Sequence, residues 1–218
     1  MMRPKAFIFD MDGLMLDSEP LYQQAWQTAA KELGYSLSTD LYLSLVGRSS
    51  AEADKIFLKI FGTQFPVTEF NQRWDIHWHS LIEMKGITLK PGLLPLLDWV
   101  EQKAIPKAVG TSSHSTEAEL CLSIAGIRDR FPILVTVDQV NAGKPEPDIF
   151  QEAVQRLGIS ASDCLVLEDS NAGVQAAQSA GIPVVMVPDL QAPTAKSHAI
   201  ALNIFSSLHE VLAWLRRL

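Results

Sequence analysis

Five short apolar runs constrain the fold of this 218-residue chain more than any other feature: KAFIFD (5–10), PKAVGTS (106–112), PILVTVD (132–138), DCLVLED (163–169) and IPVVMV (182–187). Each has strand length, most are rich in Val and Ile, and each is followed by turn residues. Their apolarity is continuous rather than alternating, which is the pattern of strands buried on both faces of a parallel sheet. Helical patterns separate them. STEAELCLSIAG places Thr116 and Glu119 at capping-box spacing and ends at Gly126. PDIFQEAVQRLG opens with Pro147, SNAGVQAAQSAG opens with Ser170 or Asn171 as a cap, and SSLHEVLAWLRRL carries Leu208, Val211, Leu212 and Leu215 on one stripe. Strand and helix in regular alternation predict an α/β fold: a doubly wound, parallel, five-stranded Rossmann-like core with right-handed crossovers.

One region breaks the alternation. Between the first and second runs no strand pattern appears, and PLYQQAWQTAAKELG, SAEADKIFLKIFG and TEFNQRWDIHWHSLIEMKG read as helices that stop at Gly34, Gly62 and Gly86. The expected organisation is therefore an α/β core formed by 1–16 and 88–218, with an all-helical domain, 17–87, inserted after the first strand.

Nearly half of the residues are apolar, enough for a sizeable core, and the net charge is −7. That charge argues against generic binding to nucleic acid or to anionic membranes, though not against a small anionic substrate in a locally positive site. Cys121 and Cys164 have no paired spacing and read as buried, reduced thiols. No leader pattern and no apolar segment of spanning length is visible, so a cytoplasmic protein, expected as a monomer, is the reading.

The ends of the five runs collect polar residues. Ligands of open parallel sheets bind beyond the carboxyl ends of the strands, and there the sequence places Asp10 and Asp12, Thr111 and Ser112, Asp138, and Glu168 and Asp169, with Lys144 in the loop NAGKPEP. Crowded carboxylates repel one another, and a hard divalent cation such as Mg²⁺ relieves this while binding substrate phosphate oxygens. Thr111 offers a hydroxyl and an N–H at a strand-to-helix turn as a phosphate cradle. An acid nucleophile, a cation, a hydroxyl and a lysine suggest phosphoryl transfer through an aspartyl-phosphate. Plainer readings suit other residues. Asp138 caps a turn, Ser113, His114 and Ser115 serve the following helix, and His77 and His79, two apart on a helix, do not face one another as zinc ligands would.

These segments resemble the motifs of the haloacid dehalogenase-like hydrolases, in the branch of β-phosphoglucomutase and sugar-phosphate phosphatases with a helical cap. FDMDGLMLDSEP is similar to the family's first motif, VGTSS to the second, GKPEPDIF to the third and LVLEDSNAG to the fourth. The resemblance implies Asp10 as nucleophile and Mg²⁺ ligand. It implies Asp12 as a ligand through its carbonyl and as the acid and base through its carboxyl. Thr111 and Lys144 would hold the phosphoryl group, and Asp169 would ligate Mg²⁺, with Glu168 a direct or water-mediated ligand. Gly13 would turn the chain toward the cap, with Asp17 near the hinge. Substrate-side contacts are expected from Ser112, Glu19, Tyr22, Arg48 and Arg73. The β-phosphoglucomutases carry a histidine and an arginine where this chain has Tyr22 and Ser50, a departure that favours a phosphatase, with a phosphomutase as the alternative. Signalling receiver domains share the acids and the lysine, but need neither the helical insertion nor a base beside the phosphorylated aspartate.

Overall fold

The computed structural model describes residues 3–46 and 50–218, and the side chains of 50–52 lie outside it. In chain order the elements are β1 (Ala6–Phe9), α1 (Glu19–Glu32), α2 (Thr39–Leu45), α3 (Ser50–Phe61), α4 (Val67–Lys85), α5 (Leu93–Gln102), β2 (Lys107–Gly110), α6 (Ser115–Ile124), β3 (Ile133–Val135), α7 (Asp148–Leu157), β4 (Cys164–Glu168), α8 (Asn171–Ser179), β5 (Val184–Met186), α9 (Ala195–Ile200), β6 (Asn203–Ile204) and α10 (Leu208–Leu215). They form two compact units, Met1–Asp17 with Thr88–Leu218, and Ser18–Ile87.

In the larger unit all strands pair in parallel, in the order β3-β2-β1-β4-β5-β6. The sheet has six strands rather than the five expected. The sixth is only Asn203–Ile204, half-buried at the sheet edge, so it carries neither the length nor the continuous apolarity that marks the other five. β1 lies inside the sheet between β2 and β4, and every residue in it is fully buried. Its side chains alternate between the two faces. Ala6 and Ile8 join a core with Ile149, Phe150 and Ala153 of α7 and Val174, Ala176 and Ala177 of α8. Phe7 and Phe9 contact Trp99 of α5 and Phe131, with ring centroids 6.5 and 5.7 Å apart. Burying one such ring contributes about 1.5–3 kcal/mol, so both faces of β1 anchor it. The stripe expected on α10, Leu208, Val211, Leu212 and Leu215, is buried.

The capping box expected at Thr116 and Glu119 does not form. The helix starts two residues earlier, after His114, and Glu119 instead forms an ion pair with Arg128, with Nε–Oε2 at 2.5 Å. The first-turn amide of Ser115 is satisfied from outside the helix, as described below.

The smaller unit is built around aromatic rings. Trp26 of α1 meets Tyr42, Phe57, Phe70 and Trp74 at 5.5 to 6.0 Å between centroids. Ala25, Ala29 and Ala30 on α1 are fully buried, and such small side chains let the neighbouring helix, α4, approach closely. Trp78 and Ile82 of α4 are buried, and Trp74 is partly buried. No helix among the described residues is long and apolar enough to cross a membrane.

Candidate active site

The sheet delivers the acids to one edge by extending its own hydrogen-bond ladder past the strand ends. The Asp10 amide donates to the Leu167 carbonyl at 3.0 Å, the Thr111 amide to Val135 O at 3.0 Å, and the Val187 amide to Glu168 O at 2.7 Å. The Thr111 amide is therefore engaged in the sheet and is not open to a phosphate, which corrects the cradle expected from the sequence. Its buried hydroxyl accepts from the Ser113 amide at 3.0 Å.

Lys144 is the hub. Its side chain is 5% exposed, its Nζ donates to Asp10 Oδ1 and, at 2.7 Å, to Glu168 Oε1, and it lies 4.9 Å from the centre of the Phe150 ring. A lysine so placed is not a surface residue. Burial pulls its ammonium down, but the charges of Asp10 and Glu168 more than reverse this and hold it above its ordinary value. Asp10 is pushed up to about 8, chiefly by burial; Lys144 opposes the shift and Glu168 adds to it. Asp169 is held well above the carboxylate range by burial, then by Glu168 and Asp10, with Asp189 adding to the effect.

Oxygens of Asp10, Glu168 and Asp169 lie within 4.8 Å of one another. A donor set made only of carboxylate oxygens suits a hard divalent cation such as Mg²⁺. Within it Glu168 differs from the other two. Its carboxylate, fully buried, already accepts from Lys144, from the Ser170 amide at 2.7 Å and from Ser170 Oγ at 2.9 Å. Ser170 in turn caps α8 by accepting from the Gly173 amide at 3.0 Å. Gly173 is there because helix and carboxylate touch: a Cβ on it would collide with Glu168. Gly13 answers a similar demand on the other side. Its φ is +79°, and a Cβ there would lie 2.8 Å from the Asp169 carboxyl carbon.

Asp12 Oδ2 accepts from Ser113 Oγ at 2.9 Å. Sequence reasoning assigned Ser113 to the next helix, but its hydroxyl holds the Asp12 carboxylate. Asp138 takes the helix role instead, accepting from the Ser115 amide at 2.9 Å and Ser115 Oγ at 2.7 Å, which bring it to about 2. Ser112 is exposed, and its amide has no hydrogen bond among the described residues. Asp189 follows β5 in VPDLQAP, a further acid just past a strand end.

Of the other residues expected on the substrate side, Glu19, Tyr22 and Arg73 lie in the helical unit. Glu19 Oε2 accepts from the Tyr42 hydroxyl at 2.5 Å. Tyr22 stacks on Trp78 at 5.1 Å and 19° between ring planes. Arg73 pairs with Glu32 at 2.9 Å and Glu69 at 2.7 Å. Arg48 lies outside the described residues. His77 pairs with Glu32 and His79 Nδ1 donates to the Asp75 carbonyl, each at 2.9 Å, so the two rings address different partners. Cys121 and Cys164 are buried free thiols, Cys164 raised to about 11 by burial and then by Asp163.

A family model described as haloacid dehalogenase-like hydrolase matches residues 7–187. The chain is 33% identical over 179 residues to a phosphorylated carbohydrates phosphatase of Thermotoga maritima, covering 82% of each chain. It is 34% identical over 193 residues to a fructose-1-phosphate phosphatase of Escherichia coli, covering 85% of this chain and 97% of that one. Among solved structures, CbbY of Rhodobacter sphaeroides in complex with phosphate superposes with a TM-score of 0.84 at 25% identity, over 98% of this chain and 99% of that one. A Clostridium difficile β-phosphoglucomutase shares the fold, with a TM-score of 0.79 at 24% identity over 99% and 96% of the two chains. A parallel sheet with acids at its carboxyl edge and a family match spanning most of the sequence lead to one conclusion: the chain belongs to the haloacid dehalogenase-like hydrolases.

Proposed function

We propose that this hydrolase is a Mg²⁺-dependent phosphatase that releases phosphate from a small phosphorylated metabolite, of the sugar-phosphate class, through an aspartyl-phosphate on Asp10. The observation that carries the reading is the buried Lys144 bridging Asp10 and Glu168, with Asp169 completing a tight carboxylate cluster. The phosphatases among the relatives support the substrate class.

In this reading an Asp10 oxygen attacks phosphorus as the bond to the leaving sugar oxygen breaks. The Asp12 carboxyl gives that oxygen its proton. The same carboxylate then takes a proton from water, whose oxygen attacks phosphorus and returns Asp10 as a free carboxylate. Ser113 keeps Asp12 in one rotamer for both transfers. Thr111 Oγ1, the Ser112 amide and Lys144 Nζ hold the phosphoryl oxygens. Asp10, Asp169 and the Asp12 carbonyl would hold Mg²⁺, which draws charge from the phosphoryl group and offsets the crowded acids. Glu168, its oxygens already engaged, acts by fixing Lys144 and the start of α8.

Residues 17–87 are assigned as a cap that selects the substrate and excludes water. Glu19, Tyr22, Arg48 and Arg73 are candidates there, and for Arg73 contact with substrate requires exchange of its Glu32 and Glu69 partners. The aromatic stack that holds Tyr22 supports a phosphatase over a mutase, because no imidazole stands at that position to manage a second proton transfer. The test is phosphate release from a panel of sugar phosphates with Mg²⁺. Turnover of at least one, abolished in Asp10→Asn, is expected. No turnover of any, or full activity in Asp10→Asn, would reject the reading. Formation of glucose 6-phosphate from β-glucose 1-phosphate and a bisphosphate primer would favour the mutase.

A further inference from the structure

Asp189 has no role in the mechanism above, yet its setting is unusual for a carboxylate. It follows β5 on the same sheet edge as the catalytic acids. Its Oδ1 accepts from Lys90 Nζ at 2.6 Å, and the same ammonium reaches Asp17 Oδ1 at 3.1 Å. Its Oδ2 is buried and has no hydrogen-bond partner among the described residues. A buried carboxylate oxygen without a donor is costly and calls for a partner.

The neighbourhood indicates what kind. Gly13 separates Asp189 from Asp169: a Cβ built on it would lie 2.8 Å from the Asp169 carboxyl carbon and 3.4 Å from Asp189 Cβ. The charge of Asp189 is felt at Asp169 and raises it. Asp189 thus adds a further negative charge to a cluster of acids instead of relieving it, and the cation that contacts it among the described residues, Lys90, is turned to its other oxygen. The three acids whose oxygens lie within 4.8 Å of one another are Asp10, Glu168 and Asp169. Asp189 stands just beyond them, suited to acting through a water rather than directly.

We propose that Asp189 is a positioning residue of the cation centre: its free carboxylate oxygen serves the divalent cation held by Asp10 and Asp169 through an intervening water, and Lys90 fixes its orientation. The inference rests on the Mg²⁺ reading given under Proposed function. Partners of this kind typically change metal affinity 10- to 100-fold.

The test uses the full-length protein stripped of metal, with Mn²⁺ as the probe, its free concentration read by electron paramagnetic resonance and its site verified by competition with Mg²⁺. The wild type is expected to bind one Mn²⁺ per chain. Asp189→Asn and Asp189→Ser, each checked for an unchanged circular dichroism spectrum, are expected to bind it about tenfold or more weakly. Asp17→Asn removes the other carboxylate on Lys90 and is expected to stay within about twofold of wild type. Wild-type affinity in the Asp189 variants overturns the proposal, as does an equal loss in Asp17→Asn, which would make Asp189 a structural clip only. A wild type that binds no Mn²⁺ would instead remove the cation reading itself, and with it this inference.

Discussion

Gly173 carries two opposed pressures in one residue. Helix propensity favours alanine over glycine inside α8 by about 1 kcal/mol. Packing forbids it, because the new Cβ would meet the Glu168 carboxylate, with Oε2 at 2.6 Å. Glu168 cannot yield without loosening Lys144 and Ser170, both of which it binds. Overpacking of this kind costs about 1–3 kcal/mol and outweighs propensity. Gly173→Ala is therefore expected to lower the midpoint of thermal unfolding and to depress phosphatase turnover with it; an unchanged or raised midpoint would show that the contact is soft. Gly173 stands in the SNAG run as a plain helix-start residue, and nothing in its spacing announces the carboxylate beneath it. Asp10 and Lys144 were legible because strand-end acids and a lysine between a strand and a helix form a recognisable set. Ser113 and Gly173 were not, because their roles depend on side chains 101 residues away in one case and on a helix resting against a carboxylate in the other.

At the scale of elements, the two segments that connect the units are knitted together rather than loose. Leu16 bridges Leu89, the Asp17 amide donates to Thr88 O at 2.8 Å, and the Lys90 amide donates to Met15 O at 2.9 Å. The sequence suggests hinges at about 14–18 and 86–91. Flexing inside this ribbon would break these hydrogen bonds. Hydrogen exchange is expected to find the Asp17 and Lys90 amides protected together with the sheet, with faster exchange outside the ribbon; exchange of both at unstructured rates would return the hinge to the ribbon itself. The same scale separates what the sequence revealed from what it hid. Strands buried on both faces announce themselves by apolar runs. The two-residue β6, which only closes the sheet edge, does not, and the start of α6 depends on Asp138 from a distant loop.

For the whole molecule, the raised acids set an unusual dependence of stability on pH. Asp10, held at about 8 by burial against an ordinary value of 3.8, binds its proton more tightly folded than unfolded, and Asp169 is raised in the same direction. A folded state that binds more protons loses stability as pH rises, so metal-free protein is expected to become less stable between about pH 4 and pH 8, by at most about 1.4 kcal/mol per pH unit for each such acid. Lys144, raised by its acid partners, contributes fully across this window. Glu101, brought to about 2 by Arg130 and then Lys107, contributes stability that is lost only as pH falls below about 4.5, at the acid edge of this window. Melting in a chelator at pH 5 and pH 8 checks this: the midpoint is expected to fall, and to fall less with Mg²⁺. A midpoint that rises with pH in the chelator would mean that the acids are solvated rather than buried.

The covalent step on Asp10 is the claim on which the rest depends, and trapping it is the most direct measurement. Enzyme quenched during turnover of a sugar phosphate and treated with borohydride should carry homoserine at position 10, the reduction product of an aspartyl-phosphate, seen by peptide mass spectrometry. Phosphate release at full rate with residue 10 recovered only as aspartate would contradict the account.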